Sequence, residues 1–326
     1  MSPHHLLTKL IIKLGAKNPL VRFLIQRKCD EFGVALTFQR EALQLRKDSR
    51  EMWISERHFV YAPDMARRFE TYFSPVVGRL IGGVSVVDYS TPGLQTYQKS
   101  GVQFELASFP EEDDAIEGYF RWYTPQPGDL VYDIGAHCGV STYCFSKLVG
   151  PTGRVIAFEP DPLNHSLLLR NIARHRLDNV VPLKLAIAGS RGFAPFHCEG
   201  TIGSGLARLS SRAPVGPVEM VETITLADGF ERWGIPAWCK VDIEGAEIEV
   251  ISAAQDVISR CNVQFALDTN HMMHGDLTNS IVEAAFAKAQ YEAESQKVEG
   301  MMTTWARPKR QPETTEAWVR KPWRIT

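Results

Sequence analysis

The chain lacks several features that would have set its class at once. Its six cysteines, Cys29, Cys138, Cys144, Cys198, Cys239 and Cys261, include no Cys-x-x-Cys pair and no Cys/His spacing of a zinc site. Cysteines scattered this way through 326 residues exclude a disulfide scaffold and fit a reducing compartment. No apolar run approaches the roughly 20 residues needed to cross a bilayer. A secretory leader is not expected either. Lys9 and Lys13 interrupt the apolar stretch 6–14, and no small-residue cleavage site follows. The cytoplasm is therefore the expected compartment. Charge of one sign is also lacking: 36 Lys and Arg face 38 Asp and Glu, a formal net charge of −2. No whole-chain field favours nucleic acid, and the aromatic residues are not interleaved with a basic stripe.

One absence is local. No acid precedes Asp30, whereas Lys9, Lys13, Lys17, Arg22, Arg27 and Lys28 all lie before it. Leu6, Leu7, Leu10, Ile11 and Leu14 recur at helical spacing. Residues 1–30 thus read as a basic amphipathic helical segment, broken at Asn18-Pro19. Such a helix either docks on the catalytic domain or, through residues 5–28, lies against an anionic membrane surface. That second choice would place the protein at the inner membrane face. Residues 31–115 mix short apolar runs such as 83–87 with the loop signal Ser90-Thr-Pro-Gly93 and support no fold assignment. The acids of 111–114 are expected to start a short helix through Trp122, since acids favour a helix N-terminus.

From residue 116 to 307 the pattern becomes regular, leaving 308–326 as a tail. Strands are expected at 130–134, 154–158, 180–188, 239–243 and 263–268, and helices at 140–149, 163–176, 244–254 and 276–290. Residues 292–298 and 303–307 are expected to form a closing antiparallel pair. Asp161 followed by Pro162 is a helix start, with Asp as cap and Pro at the first helical position. Alternation of strands and helices implies a mostly parallel sheet covered on both faces.

Ligands of such sheets sit at the carboxyl ends of the strands. After the first strand stands Asp133-Ile-Gly-Ala-His-Cys-Gly139. Gly135 permits a sharp turn, and Gly139 is expected to let the next helix begin close to a ligand, whose carboxylate its N–H groups can bind. The charge of Asp133 suits an ammonium or sulfonium and would repel a pyrophosphate. The Gly-x-Gly-x-x-Gly fingerprint is missing here. Together these features favour S-adenosylmethionine over a nicotinamide dinucleotide, which remains the rival enzyme reading. Ala136 and His137 belong to the same loop. After the second strand, Glu159-Pro160 places an acid where ribose hydroxyls can donate to it. After the third, Ala186 and Ile187 offer an apolar bed for an adenine ring. After the fourth comes Lys240-Val-Asp242-Ile-Glu244-Gly-Ala-Glu247, and after the fifth Asp268-Thr-Asn-His271.

Three segments, 131–139, 153–161 and 240–247, resemble the signature segments of the FkbM-type methyltransferases. The resemblance runs from about residue 128 to 271. It implies a class I, Rossmann-like αβα sandwich with a seven-stranded sheet, using S-adenosylmethionine to methylate a hydroxyl on a sugar, a glycan, a lipid-linked glycan or another natural product. By position it assigns Asp133, Gly135, Gly139, Glu159 and Asp242 to the cofactor. Two departures stand out. His137 occupies a position often held by Asn, and Asp268-Thr-Asn-His271 replaces a Glu-Ile-His at the fifth strand end. The candidate catalytic groups are His271 as general base, with Asp242, Glu244 and Asp268 as partners or alternatives. Asp242, Glu244 and Asp268 also carry oxygens of the kind that ligate metals, but no metal motif is present and no metal is expected. Arg208 and Arg212 are candidates for an anionic substrate, with ordinary surface charge the stronger reading. His274 is expected to be a bystander. A subunit that binds the cofactor without turnover is the reading from a different class.

Overall fold

The computed structural model describes residues 13–110, 115–209, 215–273, 276–298 and 301–309. The apolar positions 6–11, the acids 111–114, Arg212, His274 and the tail from 310 lie outside them.

The N-terminal region folds around its own core. Helix α1 (Pro19–Asp30) starts where the break was expected. Asn18 Oδ1 accepts from the Leu20 and Val21 amides at 2.9 and 3.4 Å, and Pro19 takes the first helical position. Val21, Ile25 and Cys29 form the buried stripe of α1. A sheet follows, built from β1 (Ala35–Phe38), β2 (Ala42–Lys47), β3 (Arg50–Ser55), β4 (Arg79–Ile81) and β5 (Val84–Tyr89), in the order β1-β2-β3-β5-β4. Alternation turns Leu43, Leu45, Met52 and Ile54 inward, beneath short helices α2 (Ala62–Arg67) and α3 (Phe69–Phe73). A hairpin, β6 (Gly93–Thr96) and β7 (Gln103–Leu106), leads to a 3₁₀ turn at Ala115–Tyr119. Of the helix expected from 111–114 through Trp122, the acids lie outside the described residues, and the turn ends at Tyr119.

The second region is a seven-stranded sheet with helices on both faces. In chain order it contains β8 (Leu130–Ile134), α4 (Val140–Val149), β9 (Arg154–Phe158), α5 (Pro162–His175) and β10 (Val180–Leu183). The chain then forms β11 (Ala186–Ile187), β12 (Gly192–His197), β13 (Gly205–Leu206), β14 (Val218–Ile224) and α6 (Leu226–Trp233). It returns with β15 (Trp238–Val241), α7 (Glu247–Ile258), β16 (Gln264–Asp268), β17 (Met272–Met273), β18 (Asp276–Leu277), α8 (Asn279–Lys288), β19 (Tyr291–Val298) and β20 (Met301–Pro308). The strand order is β10-β9-β8-β15-β16-β20-β19. The first five strands run parallel, and β20 inserts antiparallel between β16 and β19.

Strands buried on both faces are mostly apolar. Val131, Val155 and Ala157 meet Phe145, Leu167 and Leu168 from α4 and α5. Tyr132, Ile134, Ile156 and Phe158 meet Phe230, Ile251 and Phe286 from α6, α7 and α8. From β8 the chain winds outward to β10, then crosses back to β15, so strand order reverses between β8 and β15. That reversal opens a crevice at their carboxyl ends.

Two expectations are corrected. The strand at 180–188 is broken: after Leu183 the chain leaves the sheet edge, and β11 joins a second sheet of order β11-β14-β12-β13. Pro182 is tolerated in β10 because that strand is the edge. The helix placed at 244–254 begins only at Glu247, since Glu244 (φ 54°) and Gly245 (φ 99°) turn the chain through the left-handed region.

Candidate functional site

The crevice at the strand ends is a cleft of about 580 Å³, including its open mouth. Its floor is the glycine loop, with Gly135 and His137. One wall carries Phe158, Glu159, Pro160, Leu185, Ala186 and Ile187, and the other Asp242, Ile243 and Glu244. Of the residues singled out for cofactor binding, Gly135, His137, Glu159, Pro160, Ala186, Ile187 and Asp242 stand on this wall. Asp133, Ala136 and Gly139 do not.

Asp133 is fully buried beneath the loop. Its Oδ2 accepts from Ser141 Oγ at 2.8 Å and Thr142 Oγ1 at 2.6 Å, both in the first turn of α4. The Lys240 ammonium, 1% exposed on the neighbouring strand, lies 3.6 Å from its Oδ1. Burial raises the Asp133 pKa, against the pull of Lys240 and the two hydroxyls. Asp133 therefore ties α4 and β15 to β8 from beneath the loop. Gly139 is explained in the same way. Its φ is +91°, and a Cβ there would stand 2.6 Å from Leu168 Cδ1, so packing against α5 already requires the glycine. At Gly135 a Cβ would lie 1.8 Å from the Asp242 carbonyl oxygen, so the loop rests directly on the end of β15.

Lys240 pairs with Asp242, as its place two residues earlier in the sequence allowed, and it also does what the sequence did not reveal. Its Nζ donates to the Gly135 carbonyl at 2.6 Å and sits 3.7 Å from Asp242 Oδ2. One buried cation thus holds the glycine loop, Asp133 and Asp242 in a single arrangement. The available signal was a lysine in the otherwise apolar strand Trp238-Cys-Lys-Val241.

Glu159 is 5% exposed. Its Oε2 accepts from the His137 amide at 2.8 Å and its Oε1 from the Asp161 amide at 2.9 Å. Burial, reinforced by the Asp161 charge, pushes its pKa up to about 8. Each oxygen retains capacity for one more donor. His137 is buried with φ +49°, and burial lowers its imidazole to about 4, so it is neutral at pH 7.

At the far end Asp242, Asp268 and His271 bring ligand-type atoms within 4.8 Å of one another. That spacing can take a cation or act as an acid–base group. His271 Nε2 lies 3.5 Å from Glu244 Oε1, and its Nδ1 lies 3.2 Å from Glu247 Oε1. Burial opposes charge on this imidazole, but Glu247 and Glu244 outweigh it and raise its pKa well above the usual value. A protonated imidazole cannot accept a proton, so this setting disfavours His271 as the base. Burial, followed by the Asp242 charge, instead pushes Asp268 up to about 7.

A roof absent from the sequence reading covers the cleft: Phe196, Thr201, Ile202, Ser204 and Leu206 come from the second sheet and its loop. It is fastened from both sides. Asp161, besides capping α5, accepts from the Gly200 amide at 3.0 Å and Ser204 Oγ at 2.8 Å. From the N-terminal region Tyr61 donates to Glu199 Oε2 at 2.6 Å, and His58 Nε2 meets the Glu199 carbonyl at 3.1 Å. Arg208 is not directed at the cleft, because its guanidinium pairs with Glu249.

A parallel sheet reversed at β8/β15 and closed by an antiparallel hairpin, with an acid after its second strand, defines a class I methyltransferase fold. The methyltransferase FkbM domain matches residues 133–297, just over half of the chain, and the chain belongs to the FkbM methyltransferase family. The nicotinamide reading gives way to that finding. The hexuronic acid methyltransferase AglP of Haloferax volcanii is 26% identical over 137 residues, 41% of this chain and 53% of that protein. The 31-O-demethyl-FK506 methyltransferase FkbM of Streptomyces tacrolimicus is 29% identical over 161 residues, 40% of this chain and 61% of that protein. The chain thus spans between half and two thirds of these relatives. The solved FkbM methyltransferase of Methylobacillus flagellatus aligns with 57% of this chain and 46% of its own, at 16% identity and a TM-score of 0.42.

Proposed function

We propose that the protein is an S-adenosylmethionine-dependent O-methyltransferase whose acceptor is a hydroxyl on a sugar, glycan, lipid-linked glycan or similar natural product. The observation that carries the reading is Glu159. Its buried carboxylate has one backbone donor on each oxygen and room for two more, which matches the paired hydroxyls of a ribose. The apolar bed of Phe158, Leu185, Ala186 and Ile187 beside it suits an adenine ring, and Asp242 and Glu244 at the other end suit an ammonium or sulfonium. The names of the two curated relatives, one acting on a hexuronic acid and one on an oxygen of FK506, favour oxygen as the acceptor atom.

Bound S-adenosylmethionine supplies an electrophilic sulfonium methyl group. The chain's part is to align the acceptor hydroxyl, exclude water and receive the proton. The roof residues Ile202 and Leu206 do the excluding. Asp268, pushed up to about 7, is suited to take the hydroxyl proton near neutral pH. His271, held cationic by Glu244 and Glu247, stands within 4.8 Å of it and steadies its charged form.

The test is twofold. Purified protein should carry or bind S-adenosylhomocysteine by mass spectrometry. Labelled cofactor should then transfer its methyl group to a glycan or glycolipid fraction as an alkali-stable ether. Binding without any labelled product would favour a cofactor-binding subunit. Label in an amine or a carboxyl ester would reject the hydroxyl acceptor.

A further inference from the structure

The basic segment at the start of the chain has a structural answer that sequence could not supply. Helix α1 is docked on the N-terminal core: Val21, Ile25 and Cys29 are at most 4% exposed. Yet it is apolar on its other side as well. At 100° per residue, Leu20, Phe23 and Arg27 project opposite that stripe, and Leu20 and Phe23 are each 58% exposed. Leu14, before the helix, is 41% exposed. A helix apolar on two faces satisfies only one of them through its own fold.

The charges around this face are of one sign over most of its length. Lys13, Lys17, Arg27 and Lys28 are exposed, and Lys28 is paired with Glu31 at 2.6 Å. No acid stands between residues 13 and 29. Phe23, Gln26, Arg27, Asp30, Ala35 and Leu36 line a shallow groove between α1 and β1, with Asp30 the acid among them. The exposed apolar patch of Phe193 and Met220 differs in this respect. Phe193 pairs across the strand with Glu222, and Met220 lies between Glu219 and Glu222, so that patch would repel an anionic surface.

We propose that the outer face of α1 is a docking surface for an anionic lipid bilayer, with Leu20 and Phe23 entering the acyl boundary and Lys13, Lys17 and Arg27 meeting lipid headgroups. The helix lies along the surface and does not cross it. Among the described residues no helix is long and apolar enough to span a membrane. The inference is independent of the methyltransferase reading and is tested without turnover.

The experiment is co-sedimentation of the full chain with vesicles of neutral lipid or of neutral lipid carrying about 30% anionic lipid. Melting temperature and S-adenosylhomocysteine binding are followed in the same samples. Three proteins are compared: the parent, Leu20→Ser/Phe23→Ser and Lys17→Gln/Arg27→Gln. All four side chains are exposed, so the variants should melt like the parent. The parent should bind anionic vesicles and lose at least about tenfold in partitioning as salt rises from about 0.05 to 0.5 M. Neutralising two cations should cost about 25-fold, at about fivefold for each basic side chain near the surface. The apolar variant should lose at least about tenfold. Equal partitioning of the parent to neutral and anionic vesicles would overturn the proposal. So would parental binding by the Leu20/Phe23 variant, or a parent dimer in sedimentation that this variant dissolves, which would assign the face to a second copy of the chain.

Discussion

Replacing Glu159 by glutamine is the sharpest test of the site, because the change is nearly isosteric and its consequences can be worked from two distances. Each carboxylate oxygen accepts a backbone N–H, from His137 at 2.8 Å and from Asp161 at 2.9 Å. Glutamine keeps one acceptor and turns the other into a donor. One buried N–H then faces an NH₂ group, and one of the two ribose hydroxyls loses its charged acceptor. A hydrogen bond to a charged group is worth about 1.5–3 kcal/mol, so affinity for S-adenosylhomocysteine should fall about 10- to 100-fold.

Titration calorimetry at several pH values adds a second reading. Glu159 is pushed up to about 8, chiefly by burial. The hydroxyl donors need the carboxylate, so parental affinity should climb as pH rises toward about 8, while the glutamine variant stays flat. Stability should move the other way. The folded chain keeps this proton up to about 8, whereas an unfolded glutamate releases it near its ordinary value of 4.5. The folded state therefore binds more protons across that window. The contribution of Glu159 to stability is present below 4.5 and declines toward pH 8, by at most about 1.4 kcal/mol per pH unit. A folded variant binding within threefold of the parent, with the same pH profile, would refute the ribose assignment.

The remaining predictions concern the proton acceptor and the buried cation. Asp268→Asn should lower kcat about 10²- to 10⁴-fold with little change in S-adenosylhomocysteine affinity. The parental rate should rise with pH through about 7, because the base must be ionised to act and Asp268 is pushed up to that value. A near-parental rate, or a profile that the substitution leaves unchanged, would move the role to Asp242 or Glu244. Lys240→Met removes the cation shared by Asp133, Asp242 and the Gly135 carbonyl. Stranding a fully buried carboxylate should cost about 3–5 kcal/mol in urea denaturation. A loss below about 1 kcal/mol would show that Ser141 and Thr142 alone suffice for Asp133.

Local chemistry made much of the catalytic region legible. Mostly apolar runs ending in Gly or an acid marked β8, β9, β15 and β16, because strands buried on both faces carry few polar groups away from their ends, Lys240 in β15 being one. Asp161 before Pro162 marked the start of α5, since the cap and the fixed φ act within a few residues. Asn18-Pro19 was expected only as a break in the basic segment, and the structure makes Asn18 the cap and Pro19 the first residue of α1.

What could not be read was whatever depends on neighbours distant in the chain. Asp133 and Gly139 look like ligand residues in the motif. Their partners turn out to be Ser141, Thr142 and Lys240 for the first and Leu168 for the second, and the last two contacts exist only after α5 and β15 have packed against β8. The basicity of His271 likewise rests on Glu244 and Glu247, and that of Asp268 on burial and Asp242, so the choice between them is electrostatic and three-dimensional. The roof over the cleft depends on Tyr61 and His58, which meet Glu199 from 138 and 141 residues away in the sequence. Helical spacing could reveal two apolar faces on α1. Only the packed core shows that Val21, Ile25 and Cys29 are spent on the fold while Leu20 and Phe23 remain exposed, because burial is a property of the assembled surface and not of the residue.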